Sequence, residues 1–165
     1  ILTPVMPHQA EDIWQNTPEM QRGGLESILL ADWVKFNKEW DNAQLEEDFT
    51  KILKTREVVT RAIEPLRAEK KVGSSLEVAV YVKSDDSEIL KANAKDLADI
   101  FITSQAYVAD EAPSEVLNEY TENGITVWVT KAEGEKCERC WKFRKLGEHA
   151  GHETICSDCY DAVTE

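Results

Sequence analysis

The chain has 165 residues, 42% hydrophobic and 31% charged, a globular composition that excludes wholesale disorder. Its 32 acidic and 19 basic side chains leave a net charge of −13, which argues against a protein that binds nucleic acid with its whole surface. No apolar run reaches the roughly 18–20 residues that span a membrane, and no signal peptide opens the chain.

Position 1 is Ile, inside what reads as an element, so the sequence is expected to be a fragment. Pro4 and Pro7 suit a break or a helix start, and His8–Gln15 carries helical spacing through Ala10, Ile13 and Trp14. Asn16, Pro18, Gly23 and Gly24 predict a loop over 16–24. The short apolar run 25–34 is ambiguous. From Asn42 to Lys71 the helical signal is strong, with Phe49, Ile52, Leu53, Val59, Ile63 and Leu66 as its apolar stripe. Pro65 is expected to kink or split this helix near Ile63, and Gly73 to lie at its cap.

The period then changes. Leu76, Val78, Val80 and Val82 alternate with Glu77, Ala79, Tyr81 and Lys83, which predicts a half-buried strand. Asp85–Asp99 returns to helical spacing, capped by Ser84 or Asp85. Ile100–Val108 reads as a strand. A polar loop around Pro113 follows, and Gly124 introduces a further alternating strand, Ile-Thr-Val-Trp-Val-Thr.

Charge is uneven along the chain. Residues 1–45 carry −4, 46–75 carry +1, 76–133 carry −8 and 134–165 carry −2. Within 136–145 Lys136, Arg139, Lys142, Arg144 and Lys145 oppose only Glu138, so those ten residues carry +4. A polyanion would be met there and on 46–75.

All four cysteines lie in the last 29 residues, as Cys137-x-x-Cys140 and Cys156-x-x-Cys159 separated by fifteen residues. Two such pairs have the spacing of a tetrahedral zinc site: each tight turn offers two thiolates, and the loop between can fold back. Zinc accepts four soft sulfur ligands without redox chemistry, and four protein ligands leave no open position, so one structural ion is expected. Disulfides would need an oxidising compartment that nothing marks. A redox pair would need only one Cys-x-x-Cys. His149 and His152 read as exposed loop histidines, and His8 has no partner in view.

No nucleophile constellation, phosphate loop or dinucleotide fingerprint occurs, and acidic pairs such as Asp85-Asp86 are ordinary solvated helix starts. The chain by itself is not expected to be an enzyme. What remains is a binding constellation. Trp141 follows Cys140, Arg139 lies between ligands, and Lys136, Lys142, Phe143 and Arg144 flank them. A metal knuckle presents side chains rigidly. An indole can stack on an unpaired base, worth ~1–3 kcal/mol, and arginine can meet phosphate or base edges. Alternatively, Trp141 covers the metal as core.

Lys-Cys-Glu-Arg-Cys-Trp at 136–141 and Ile-Cys-Ser-Asp-Cys at 155–159 resemble the C-terminal zinc-binding module of bacterial isoleucyl-tRNA synthetases. Pro4–Trp14 and Ser27–Trp33 resemble the end of that family's helical anticodon-binding domain, and Val72–Val78 the junction after its long helix. The likeness covers essentially the whole chain in the family's order. The cysteine spacing alone is shared with some DNA-repair glycosylases.

The resemblance implies a C-terminal piece of an enzyme that uses ATP to attach isoleucine to its tRNA. ATP would belong to a catalytic domain whose His-Ile-Gly-His-like and Lys-Met-Ser-Lys-Ser-like motifs this chain lacks, as it lacks the editing domain. It also implies contact of Arg139 and Trp141 with the anticodon, in a cytoplasmic, monomeric parent with no membrane or DNA partner. Val34 stands where proline is usual, and Pro65 where the long helix is usually unbroken.

The expected fold is α+β: a helical-bundle remnant over 1–72, a small β-α-β-β unit over 73–133, and a zinc ribbon over 134–165. The expected RNA-binding residues are Arg139, Trp141, Lys136, Lys142 and Arg144. The rival reading is a zinc-stabilised protein-interaction module without an RNA role.

Overall fold

The computed structural model describes residues 1–164 and shows a mixed α+β architecture in two compact units, the second beginning at Ala43. In the first unit α1 (Pro7–Gln15) starts on Pro7, whose fixed φ and missing N–H suit a helix's opening turn. The predicted loop 16–24 contains a short helix, α2 (Glu19–Arg22), ended by Gly23 at φ 58°. The ambiguous run forms one tight 3-10 turn, Ile28–Leu30, capped by the Ser27 hydroxyl.

Polar contacts hold this unit. Glu11 accepts from the Ser27 hydroxyl at 2.7 Å and the Ile28 amide at 3.2 Å, and the Trp14 indole donates to the Leu25 carbonyl at 3.1 Å. Hydrogen bonds from Ser27, and then from Gln15, hold the Glu11 carboxyl below its usual range. Ala10 is the one buried hydrophobic residue of this unit, while Ile13, Leu29, Leu30, Trp33 and Trp40 stand exposed.

The second unit is built on α3 (Ala43–Ala68). Its buried face is Ile52, Thr55, Val58, Val59, Ala62, Ile63 and Leu66, recurring at helical spacing. Phe49 and Leu53, expected in this stripe, are exposed. Leu53 sits about 100° round the helix from Ile52 and so points off the packed face. The helix runs unbroken through Pro65, contrary to the expected split. Pro65 lies in the last turn, where its missing N–H leaves only the Arg61 carbonyl without its usual intrahelical partner. The cap is also displaced. Lys70, not Gly73, takes the left-handed conformation (φ 57°), with Lys70 N–H to Arg67 at 3.0 Å and Lys71 N–H to Leu66 at 2.9 Å. Lysine is strained there, and Lys70→Gly is expected to stabilise the unit by about 1 kcal/mol, read as a raised unfolding midpoint.

A four-stranded sheet packs on α3. Its strands are β1 (Val78–Lys83), β2 (Gln105–Val108), β3 (Asn118–Glu122) and β4 (Ile125–Lys131), in the order β2-β1-β4-β3. β1 is parallel to β2, with Ala79 opposite Gln105, and antiparallel to β4, with Tyr81 opposite Trp128. As a central strand, β1 buries Ala79 as well as Val78, Val80 and Val82, which is more than the half-burial expected.

The predicted single helix after β1 is two, α4 (Ser87–Ala92) and α5 (Leu97–Ile100), which form the crossover to β2. The Ser84 hydroxyl accepts from the Asp86 amide, one residue before α4. The first half of the strand expected over Ile100–Val108 is the end of α5 and its turn. A fourth strand, β3, emerges where a loop was expected. Asn123 (φ 52°) and Gly124 (φ 76°) close its hairpin with β4, the residue pair a tight primed turn requires.

One apolar core joins these elements: Ile52, Val59, Ile63 and Leu66 of α3 lie with Val78, Val80, Val82, Leu90, Leu97, Phe101, Val127 and Val129. The Asn118 amide also donates to the Ala62 carbonyl at 2.8 Å, and Arg61 pairs with Glu122. The rest of this unit is a two-stranded hairpin, β5 (Glu135–Lys136) with β6 (Phe143–Arg144), followed by α6 (Ser157–Thr164).

Candidate metal centre

Cys137 and Cys140 lie on the turn that joins β5 to β6. Cys137 N–H donates to the Lys142 carbonyl and Trp141 N–H to the Cys137 carbonyl, both at 2.9 Å, so the turn is closed by backbone. Gly134, at the base of this hairpin, has φ 96°, and a side chain there would meet the Arg144 carbonyl oxygen at 2.5 Å. Cys156 precedes α6 and Cys159 lies within it. Glu138 N–H to the Thr154 carbonyl, 3.1 Å, and Cys156 N–H to the Cys137 sulfur, 3.4 Å, bring the second pair against the first.

The four sulfurs lie within 4.8 Å of one another, and Cys137, Cys156 and Cys159 are buried. All four are free thiols, and the Cys140–Cys156 sulfur separation of 3.8 Å is far beyond a disulfide bond of about 2.05 Å. A tetrahedron with zinc–sulfur bonds of about 2.3 Å has edges near 3.8 Å. The donor set therefore fits one four-coordinate metal ion. As free thiols they titrate apart. Burial pushes Cys156 up and Cys140 up to about 12. In Cys137 burial also works upward, yet backbone N–H groups of Cys140, Cys156 and Arg139 bring it down to about 6.

Both histidines lie in the loop, His152 exposed as expected and His149 half-buried. His149 stacks on Tyr160 with ring centres 3.8 Å apart, and His152 meets the same ring edge-on at 5.4 Å. They brace α6, the helix that carries Cys159.

Trp141 is 61% exposed, so it does not seal the cluster. Its φ of 66° is unusual for a bulky residue, and the apolar residues packed against the buried cysteines are Leu146 and Ile155. The Lys136 ammonium lies 5.3 Å from the Trp141 ring centre, a cation–π distance. The other basic residues are engaged. Arg139 donates to the Cys159 sulfur at 3.7 Å. Lys142 pairs with Asp99, and its side chain is only 13% exposed. Arg144 lies 3.7 Å from Asp158. The knuckle thus presents Lys136 and Trp141 as a pair, while Lys142 and Arg144 serve partly as braces.

The anchorage of this knuckle escaped the sequence reading. The Gln105 side chain donates to the Glu133 carbonyl at 3.0 Å and the Phe143 carbonyl at 2.7 Å, and accepts from the Glu133 amide at 3.2 Å. The Ser104 hydroxyl accepts from the Phe143 amide at 2.7 Å. These bonds clamp the hairpin to the parallel edge of the sheet. No motif signals them, because each links residues 28 or more positions apart. Gln105→Ala is expected to cost about 1–3 kcal/mol of docking, read as faster amide exchange at Glu133 and Phe143 with the metal retained.

Residues 1–82 match the family described as the anticodon-binding domain of tRNA ligase. Over its full length the chain is 38% identical to an isoleucine–tRNA ligase from Syntrophomonas wolfei and 36% identical to one from Moorella thermoacetica, spanning 18% of each relative. It is 34% identical over 99% of its length to the chloroplastic/mitochondrial isoleucine–tRNA ligase of Arabidopsis thaliana, and spans 17% of it. The chain matches the anticodon-binding and C-terminal region of the isoleucine–tRNA ligases, with a C-terminal four-cysteine cluster that can chelate a metal.

Proposed function

We propose that this chain grips the anticodon stem-loop of isoleucine tRNA, for a parent enzyme that uses ATP to join isoleucine to that tRNA. The observation that carries the proposal is an exposed indole on a turn held by two metal-ligating cysteines, with a lysine over its face. Zinc is the ion this tetrathiolate suits, as a structural ion without an open position. The hairpin, loop and helix around it form a zinc ribbon in this reading.

Trp141 stacks on an unpaired base and Arg139 offers its remaining donors to the same loop. Lys136, Lys142 and Arg144 set the positive field that meets phosphate. Lys142, held by Asp99, acts through that field more than by contact. The acidic 76–133 segment repels RNA elsewhere and helps orient it. Functionally we divide the chain into a helical part over 1–72, a junction over 73–133 and the metal module over 134–165. Four free thiols fit a reducing, cytoplasmic setting, with the parent a monomer. Among the described residues no helix is long and apolar enough to cross a membrane.

The test is salt-dependent binding of isoleucine tRNA to the chain and to the Arg139→Ala/Trp141→Ala double variant, with zinc content measured in both. The expected result is a loss of about tenfold or more in the variant with zinc still at one equivalent. Unchanged binding would favour a protein-interaction module instead.

A further inference from the structure

A cleft between α3 and the turn after α5 plays no part in the site described above. Helix α5 ends in a Schellman turn, with Ile102 N–H bonded to the Asp99 carbonyl at 3.1 Å and Thr103 N–H to the Ala98 carbonyl at 2.9 Å. Such a turn needs a left-handed residue, usually glycine. Here it is Ile102, at φ 58°. A β-branched side chain is strained in that conformation. Burial does not offset the strain, since Ile102 is 49% exposed. An exposed, strained apolar residue points to a role outside folding.

Its surroundings give that role a chemistry. Ile102 and Phe101 wall a cavity of about 180 Å³ whose other side is α3, with Arg56, Thr60 and Arg67, and with Ser75 at its end. The Arg56 guanidinium has no hydrogen-bond or ion-pair partner among the described residues. Arg67 is held at 2.8 Å by Glu64, which also lines the cavity, and is half exposed. Two guanidiniums beside an apolar wall fit a phosphodiester strand, with phosphates on arginine and a sugar or base face on isoleucine. The cleft also connects to the knuckle. Asp99, whose carbonyl receives the Ile102 amide, holds Lys142 next to Trp141.

We propose that this cleft is a second RNA contact, continuous with the knuckle. Arg56 and Arg67 take backbone phosphates of the strand whose loop reaches Trp141, and Ile102 packs against that strand's sugar or base. The contact draws Arg67 away from Glu64. The inference rests on the anticodon-binding reading and extends it to the C-terminal half of α3.

The experiment uses the anticodon stem-loop RNA of isoleucine tRNA as probe, with the whole chain and three variants: Ile102→Gly, Arg56→Ala/Arg67→Ala, and Trp141→Ala. Ile102→Gly is expected to raise the unfolding midpoint, because strain is relieved, and yet weaken RNA binding roughly tenfold. A merely structural residue would give the first effect without the second. The double arginine variant is expected to lower the slope of log affinity against log salt by roughly 1.5–2. Binding that depends on Trp141 but is unchanged in both Ile102→Gly and the arginine variant would overturn the cleft and leave the knuckle reading standing. No binding by the unaltered chain would overturn both.

Discussion

Removing the metal with a chelator is expected to unfold residues 134–164 and leave the four-stranded sheet and α3 folded. The cluster at the centre of this module is Cys137, Cys156 and Cys159, with Cys140, Leu146 and Ile155 half-buried against it. Take away the ion and little apolar surface is left to hold the loops. The Gln105 and Ser104 bonds return about 1 kcal/mol each and act only at the hairpin. The structural zinc proposed above would contribute roughly 10–16 kcal/mol, enough to decide whether the module folds. The measurement is the amide spectrum before and after chelation. Signals of 134–164 should collapse while those of Val78–Lys83 and Ile125–Lys131 persist. Loss of the sheet signals as well, or no change anywhere, would contradict the expectation.

The second large effect is expected at Leu66, 2% exposed on the inner face of α3. Leu66→Ala should cost about 2–5 kcal/mol, the transfer of the lost atoms plus the cavity they leave. That is a large part of the 5–15 kcal/mol by which domains of this kind are usually stable. The informative feature is where the loss is felt. Leu66 shares its core with Val78, Val80, Val82, Val127 and Val129, so amide exchange should quicken in β1 and β4 as well as in α3. Were α3 the remnant of a separate bundle, the sheet amides would be indifferent.

The placement of Trp141 was a contest that composition could not decide. Core plug and RNA-facing indole were both open from the sequence. The exposed ring, the left-handed backbone and the Lys136 ammonium over its face remove the first. Lys142 is the converse. Its place in a basic run suggested phosphate contact, and in the structure it pairs with Asp99 of α5.

The amino-acid order alone determined the four-cysteine cluster that could hold a metal, because Cys-x-x-Cys is a local pattern and four residues of backbone suffice to aim two sulfurs at one point. It determined α1, α3 and β4 for the same reason: periods of 3.6 and 2 are written in neighbouring side chains. It missed β3, although Asn123-Gly124 was a usable turn signal, and it set Phe49 and Leu53 on the wrong face of α3. Only the tertiary structure decided that α3 packs on the sheet, that Gln105 clamps the knuckle, and which basic residues remain outward. The physical reason is distance along the chain. Ligand spacing and helical period act within a few residues. The partner of a long charged side chain, or of a buried helix face, is chosen by packing between segments that meet only once the fold has formed.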